Sequence, residues 1–169
     1  MNTYHLWLKP SGMVYDMLMK TIADLSKAYQ APLFEPHVTL LSSLPGTEKE
    51  ITARASQLGT SLQTFDIHLT EPAYGEEYFE CVFLKARKTR ALVNAHEQAG
   101  NLFAKESSHF MPHVSLLYGH YSVEHKTMIA ATLPESLCCT FAVGTLYLIS
   151  ARSENPKDWA SILTVPLSH

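Results

Sequence analysis

Two short segments carry the side chains best suited to chemistry. Residues 34–41 read Phe-Glu-Pro-His-Val-Thr-Leu-Leu, and residues 110–117 read Phe-Met-Pro-His-Val-Ser-Leu-Leu. Six of the eight positions are identical, a seventh exchanges one hydroxyl for another, and the offset is 76 residues. In a strand, residues i and i+2 share a face. His37 therefore sits beside Thr39 and His113 beside Ser115, while Val38, Leu40, Val114 and Leu116 turn toward a core. Imidazole, with an ordinary pKa of about 6.5, gives or takes a proton near neutrality. Two of them across one substrate can act as general base and general acid, each worth roughly 10²–10⁴ in rate. The hydroxyls lack the adjacent base that would make them nucleophiles. They suit hydrogen-bond donation to the nonbridging oxygens of a tetrahedral anion. A base, an acid and two oxyanion donors around one centre match phosphodiester cleavage, in which the nucleophile enters and the leaving oxygen departs on opposite sides of phosphorus. A single His-x-Thr reads as a half-buried histidine. Its recurrence in a matched context points to chemistry, because packing does not require both histidines and both hydroxyls to be kept.

The elements that must position these segments repeat as well. Tyr4 to Pro10 has the alternation of a strand, and Val14, Leu18, Ile22, Leu25 and Tyr29 follow at helical spacing. One period later, Tyr78 to Ala86 reads as a strand, and Leu92, Ala95, Ala99, Leu102 and Phe103 mark a helix. After the first histidine segment, Thr47 and Glu50 form a capping box that opens a helix through Ile51, Ala55 and Leu58. After the second, Ser122 is the N-cap of a helix that Pro134 ends. Closing strands are expected over Thr64 to Thr70, Phe141 to Ser150 and Ile162 to Leu167. The predicted fold class is α+β: two pseudo-symmetric lobes, each an antiparallel sheet with helices packed outside, around a central cleft. The chain is expected to be one bilobal domain built by internal duplication, with approximate repeats over residues 1–75 and 76–169. Both imidazoles are expected to face solvent in the shared cleft.

With 169 residues, 46% of them hydrophobic and 17% charged, the chain is long enough for a self-sufficient core and is not a disordered or low-complexity segment. The net charge of −3 offers no basic envelope for long nucleic acids. Three cysteines, two of them adjacent, suit a reducing compartment. Met1 to His5 lacks the pattern of a signal peptide, and no apolar run is long enough to span a membrane. A cytoplasmic monomer without a membrane partner is expected. Neither His-x-x-x-His nor paired Cys-x-x-Cys spacing supports zinc, so no metal or cofactor is expected. Lys85, Arg87, Lys88 and Arg90 cluster where a strand passes into a helix, either steering a phosphate or forming a solvated loop. By parity His5 shares the face of Trp7, either at the rim of a pocket or as an ordinary strand residue.

On its paired His-x-Thr/Ser segments the chain resembles the two-histidine (2H) phosphoesterase superfamily. It resembles the plant- and fungal-type cyclic phosphodiesterases more closely through Tyr4-His5-Leu6-Trp7, Tyr78-Phe79-Glu80-Cys81-Val82-Phe83-Leu84 and Met111-Pro112-His113-Val114-Ser115-Leu116-Leu117-Tyr118. The resemblance runs from Tyr4 to the strand near Leu167. It implies a bilobal fold around a cleft and metal-independent opening of small cyclic-phosphate nucleotides: nucleoside 2′,3′-cyclic phosphates to 2′-phosphates, and ADP-ribose 1″,2″-cyclic phosphate to the 1″-phosphate. It further implies His37 and His113 as the acid–base pair, Thr39 and Ser115 as phosphate binders with Tyr118 assisting, and Trp7 and Phe79 against the base. Ideal alternation would turn Tyr118 away from the cleft, unless a bulge or strand end at Gly119 re-aims it. An RNA-end-processing enzyme of the same superfamily, ligase-like or 3′-end trimming, and a noncatalytic phosphate-ligand module are the alternatives.

Overall fold

The computed structural model describes residues 2–105 and 109–169. In chain order the described elements are β1 (Thr3–Leu8), α1 (Gly12–Tyr29), β2 (Val38–Leu41), α2 (Glu48–Ser61), β3 (Phe65–Tyr74), β4 (Val82–Ala86), α3 (Arg90–Leu102), β5 (His113–Leu117), α4 (Val123–Thr132), β6 (Thr140–Val143), β7 (Thr145–Ala151) and β8 (Trp159–Pro166). Local chemistry sets the helix starts. The Thr47 hydroxyl accepts from Glu50 N while the Glu50 carboxylate accepts from Thr47 N at 2.8 Å, closing the capping box at α2. Ser122 caps α4 by accepting from His125 N. Pro134 lies two residues beyond α4, where no helix can continue.

The eight strands form one antiparallel sheet in the order β6-β3-β4-β5-β2-β1-β7-β8. The α+β architecture is the one expected, and the strand order shows how its halves are joined. The first strand of the chain pairs with the seventh, over Thr3↔Ala151 through Leu8↔Leu146. The strand that closes the first half, β3, pairs with the strand that opens the second, β4. Helices cross over in the same way: α1 packs on β5 and α3 on β2. One face of the sheet carries Leu6, Leu8, Val38, Leu40, Leu84, Val114, Leu116, Leu146 and Leu148, all essentially buried in the main core with Leu18, Ile22, Ile51, Leu58 and Leu92 of the helices. The opposite face is left for the polar members of the central strands.

The predicted strands shift by a few residues at their ends, as in β3 (Phe65–Tyr74) and β8 (Trp159–Pro166), and two of them are interrupted. Tyr78–Glu80 is a 3₁₀ turn ahead of β4, because Gly75 N donates to Glu80 O at 2.7 Å and Gly119 N to Tyr78 O at 3.0 Å, drawing that backbone out of the ladder. The stretch from Phe141 to Ser150 breaks at Gly144 into β6 and β7, which pair with different neighbours. Among the described residues no helix is long and apolar enough to cross a membrane.

Candidate active site

The two histidine segments meet in the middle of the sheet, where β2 and β5 touch at one register pair, Val38↔Val114. Continuing that antiparallel register by one residue in each direction sets His37 across from Ser115, and Thr39 across from His113. Directly opposed Cβ atoms lie about 5 Å apart and diagonal ones about 7–8 Å. The imidazoles are thus diagonal partners, each facing the other strand's hydroxyl. All four side chains line one cleft of about 570 Å³, within the usual range for small-molecule sites.

The same device orients both rings. His37 Nδ1 donates to Glu35 O at 2.7 Å, and His113 Nδ1 donates to Met111 O at 2.8 Å. A carbonyl can only accept, so Nδ1 carries the proton and Nε2 is left to exchange protons with whatever fills the cleft. An aromatic ring supports each imidazole from the neighbouring strand. Trp7 stacks on His37 with centroids 3.5 Å apart and planes 7° from parallel, and Phe83 lies 4.9 Å from His113.

Beneath this likeness the rings differ. His37, expected to be solvent-facing, is only 8% exposed. Burial pushes its pKa down to about 3, assisted by the charges of His113, Lys9 and His5 and opposed by its bond to the Glu35 carbonyl. The indole of Trp7 is the sheltering surface. His113 is half-exposed. The hydroxyls differ too. Thr39 is half-exposed and its hydroxyl makes no hydrogen bond among the described residues, so it is free to donate. Ser115 is buried and donates to Phe79 O at 2.7 Å, so it must turn before it can serve an anion.

Tyr118 lines the cleft despite its parity, for a reason the ladder makes explicit. Val82 pairs with Leu117 but Phe83 pairs with Ser115, so Leu116 is an extra residue and the alternation reverses beyond it. The first strand has the same irregularity: Leu6 pairs with Leu41 but Trp7 with Thr39, and Leu40 is extra. His96 holds this bulge by donating from Nδ1 to Leu40 O at 2.7 Å, and stacks on Phe110 at 3.8 Å. Tyr118 stacks on Phe34 at 3.7 Å, and burial pushes its phenol pKa up, although a hydrogen bond with Ser115 opposes the shift. The phenol therefore stays protonated and can donate.

Trp7 and Phe79, assigned to base contact by resemblance, both line the cleft, but Trp7 is 6% exposed with one face taken by His37. The aromatic corner that remains open is Phe79 with Trp159, centroids 6.0 Å apart. His5 lines the cleft. The basic cluster does not: Lys85 pairs with Glu71 at 2.9 Å, and Arg87, Lys88 and Arg90 are exposed elsewhere. His68, His96, His109, His120, His125 and His169 also lie outside the lining. Among the described residues no three His, Cys, Asp or Glu side chains converge on a point that could hold a metal ion.

Sequence reasoning missed Ser42, Ser43, Arg152 and Trp159, all in the cleft wall. Ser42 had a signal, since it stands 76 residues before Tyr118. Arg152 and Trp159 had none, because the β7–β8 connection reaches the cleft only through the pairing of β7 with β1.

Comparison with known proteins agrees with this geometry. The family described as cyclic phosphodiesterase-like protein matches residues 1–145. A cyclic phosphodiesterase of Arabidopsis thaliana is 26% identical over 174 residues, covering 99% of this chain and 96% of its own. A 2′,3′-cyclic-nucleotide 3′-phosphodiesterase of Yarrowia lipolytica is 31% identical over 97 residues, covering 53% of this chain and 45% of its own. Among solved structures, a phosphoesterase superposes over the whole of both chains with a TM-score of 0.76 at 15% identity. E. coli LigT complexed with 3′-AMP superposes over 99% of both with 0.70 at 13%. These two likenesses concern the fold.

Proposed function

Because the chain belongs to the cyclic phosphodiesterase-like family, we propose that it opens cyclic phosphates by hydrolysis, converting nucleoside 2′,3′-cyclic phosphates to 2′-phosphates and ADP-ribose 1″,2″-cyclic phosphate to the 1″-phosphate. His37 is the general base and His113 the general acid. His37 is held neutral by burial, so its Nε2 can take the proton of an attacking water. The water oxygen bonds to phosphorus, the bond from phosphorus to the ring oxygen breaks, and His113 Nε2 delivers a proton to that oxygen. One water is consumed, and a monoester and a free hydroxyl are formed. Thr39, Tyr118 and a reoriented Ser115 donate to the nonbridging oxygens as negative charge builds there.

The observation that carries this reading is the diagonal placement of two imidazoles in one cleft, each fixed through Nδ1 to the carbonyl two residues before it. The relative from Yarrowia, named as acting on the 3′ bond of 2′,3′-cyclic nucleotides, supports a 2′-phosphate product. The same reading takes the chain as one bilobal domain from a duplicated unit, residues 1–75 and 76–169. Matched bulges at Leu40 and Leu116, and positive φ at both Ser43 and Gly119, support it.

The test is a product assay on 2′,3′-cyclic AMP with EDTA present. Adenosine 2′-monophosphate is expected. Absence of turnover, or turnover that needs an added metal, refutes the mechanism, and a 3′-monophosphate refutes the assigned bond.

A further inference from the structure

The two histidine segments match in sequence, and the cleft walls diverge where the chain runs on beyond them. Where β5 runs on into Tyr118-Gly119, β2 runs on into Ser42-Ser43. A large ring thus fills one end, while two small hydroxyls line the other. Neither hydroxyl has a hydrogen-bond partner among the described residues. The Lys105 ammonium anchors this end by donating to Ser42 O at 2.6 Å and Ser43 O at 3.0 Å. Its charge also reaches the half-buried ring of His5 in the same wall: burial first, then Lys105, lowers the His5 pKa to about 4. Arg152 completes the end. Ala151 pairs with Thr3, so Arg152 leaves β7 where β1 begins and lines the cleft there. It makes no ion pair among the described residues, and neither do Glu80 and Glu154, the two carboxylates of the lining.

Free hydroxyls beside an unpaired guanidinium make an anion site, and the Lys105 ammonium bound to the Ser42 and Ser43 carbonyls adds positive charge behind it. Guanidinium in particular matches phosphate oxygens two at a time. The register gives its distance from the reacting centre. Trp7 lies level with Thr39 and His5 is two residues back along β1, about 7 Å at the rise of a strand. Thr3, beside Arg152, is two residues farther. A phosphate one ribose away from a 2′,3′-cyclic phosphate falls in that interval. We propose that the end of the cleft lined by His5, Ser42, Ser43 and Arg152 is a second anion subsite. It takes a phosphate that the substrate carries in addition to its cyclic one, as in a nucleoside 2′,3′-cyclic phosphate bearing a 5′-phosphate. The inference rests on the cyclic phosphodiesterase reading and narrows its substrate class.

The experiment compares kcat/KM for adenosine 2′,3′-cyclic phosphate with and without a 5′-phosphate, in the wild-type protein and in R152Q and the double variant S42A/S43A. The wild type is expected to prefer the 5′-phosphorylated substrate by roughly tenfold or more, the scale of hydrogen bonds to a charged group. The preference should shrink to within about twofold in R152Q, should fall in S42A/S43A, and should persist or grow in E154Q. A wild-type ratio near one, or a ratio that R152Q leaves intact, overturns the subsite. If neither substrate turns over, the hydrolytic reading has failed, and calorimetry still decides the subsite: 5′-AMP should bind the wild-type protein more tightly than adenosine, and R152Q should lose that difference. Equal binding of the two ligands overturns it.

Discussion

Removing the ring under His37 tests the acid–base assignment more directly than removing His37 itself. The indole of Trp7 lies 3.5 Å from the imidazole, nearly parallel, and meets Trp159 edge-on at 5.6 Å. In Trp7→Ala the loss of packing should cost about 3 kcal/mol of stability, the lower end for a buried Trp, because its outer edge borders the cleft. Water then reaches the imidazole. The His37 pKa should climb from about 3 toward the ordinary value of about 6.5, since burial is its main depressant. The acid limb of kcat/KM follows the free enzyme's base, so it should move to higher pH. A ring free to swing out of line should also lower kcat by about 10². Trp7→Phe restores an aromatic platform, like Phe83 beside His113, and should return both the limb and most of kcat. The assays are pH–rate profiles on 2′,3′-cyclic AMP and an NMR titration of the His37 ring, run below the melting temperature of each variant. A folded Trp7→Ala protein with the wild-type acid limb and kcat would refute the platform, and with it the case for His37 as the base.

The buried neutral imidazole also sets an acid limit on the fold. A histidine whose pKa is lower when folded than when unfolded contributes stability that is complete above about 6.5 and drains away as pH falls toward about 3, because the unfolded chain binds the proton first. Denaturant unfolding should show a loss approaching about 3 kcal/mol between pH 6.5 and pH 4, and His37→Asn should flatten that dependence down to the share left by His5. An unchanged slope in His37→Asn would show that the ring is already solvated. The hydroxyls should part company as well. Thr39→Ala should lose roughly 10²–10³ in kcat with little change in stability, whereas Ser115→Ala should lose less activity but about 1 kcal/mol of stability, having released Phe79 O. Equal losses in the two variants would contradict the asymmetry.

Local signals were legible in the sequence wherever the chain alone determines the outcome. The Thr47–Glu50 box, the Ser122 cap and the eight-residue repeat each need only near neighbours, and each stands where it was expected. The cleft position of His37, Thr39, His113 and Ser115 followed from alternation within one strand. Tyr118 did not, because one looped-out residue at Leu116 reverses the count, and a bulge is decided by the partner strand. The burial of His37 was equally out of reach, since the shelter comes from a tryptophan thirty residues away. Arg152 and Trp159 depend on β7 pairing with β1 while β8 pairs with β7, an arrangement joining opposite ends of the chain that no window of sequence displays.

Gly144 has a consequence for the molecule as a whole. It is the only residue between a strand at one margin of the sheet and the strand adjoining the other margin, so the sheet must curl until its margins almost touch. Leu167 N donates to Gly144 O, and Ser168 exchanges backbone bonds with Leu62 and Thr64, sewing the seam. Neither half can then melt while the other stands, because each contributes ladder rungs that the other lacks. The chemistry and the cohesion of the protein therefore share one hoop: a cleft gripped from two sides persists for as long as the last strand stays in place.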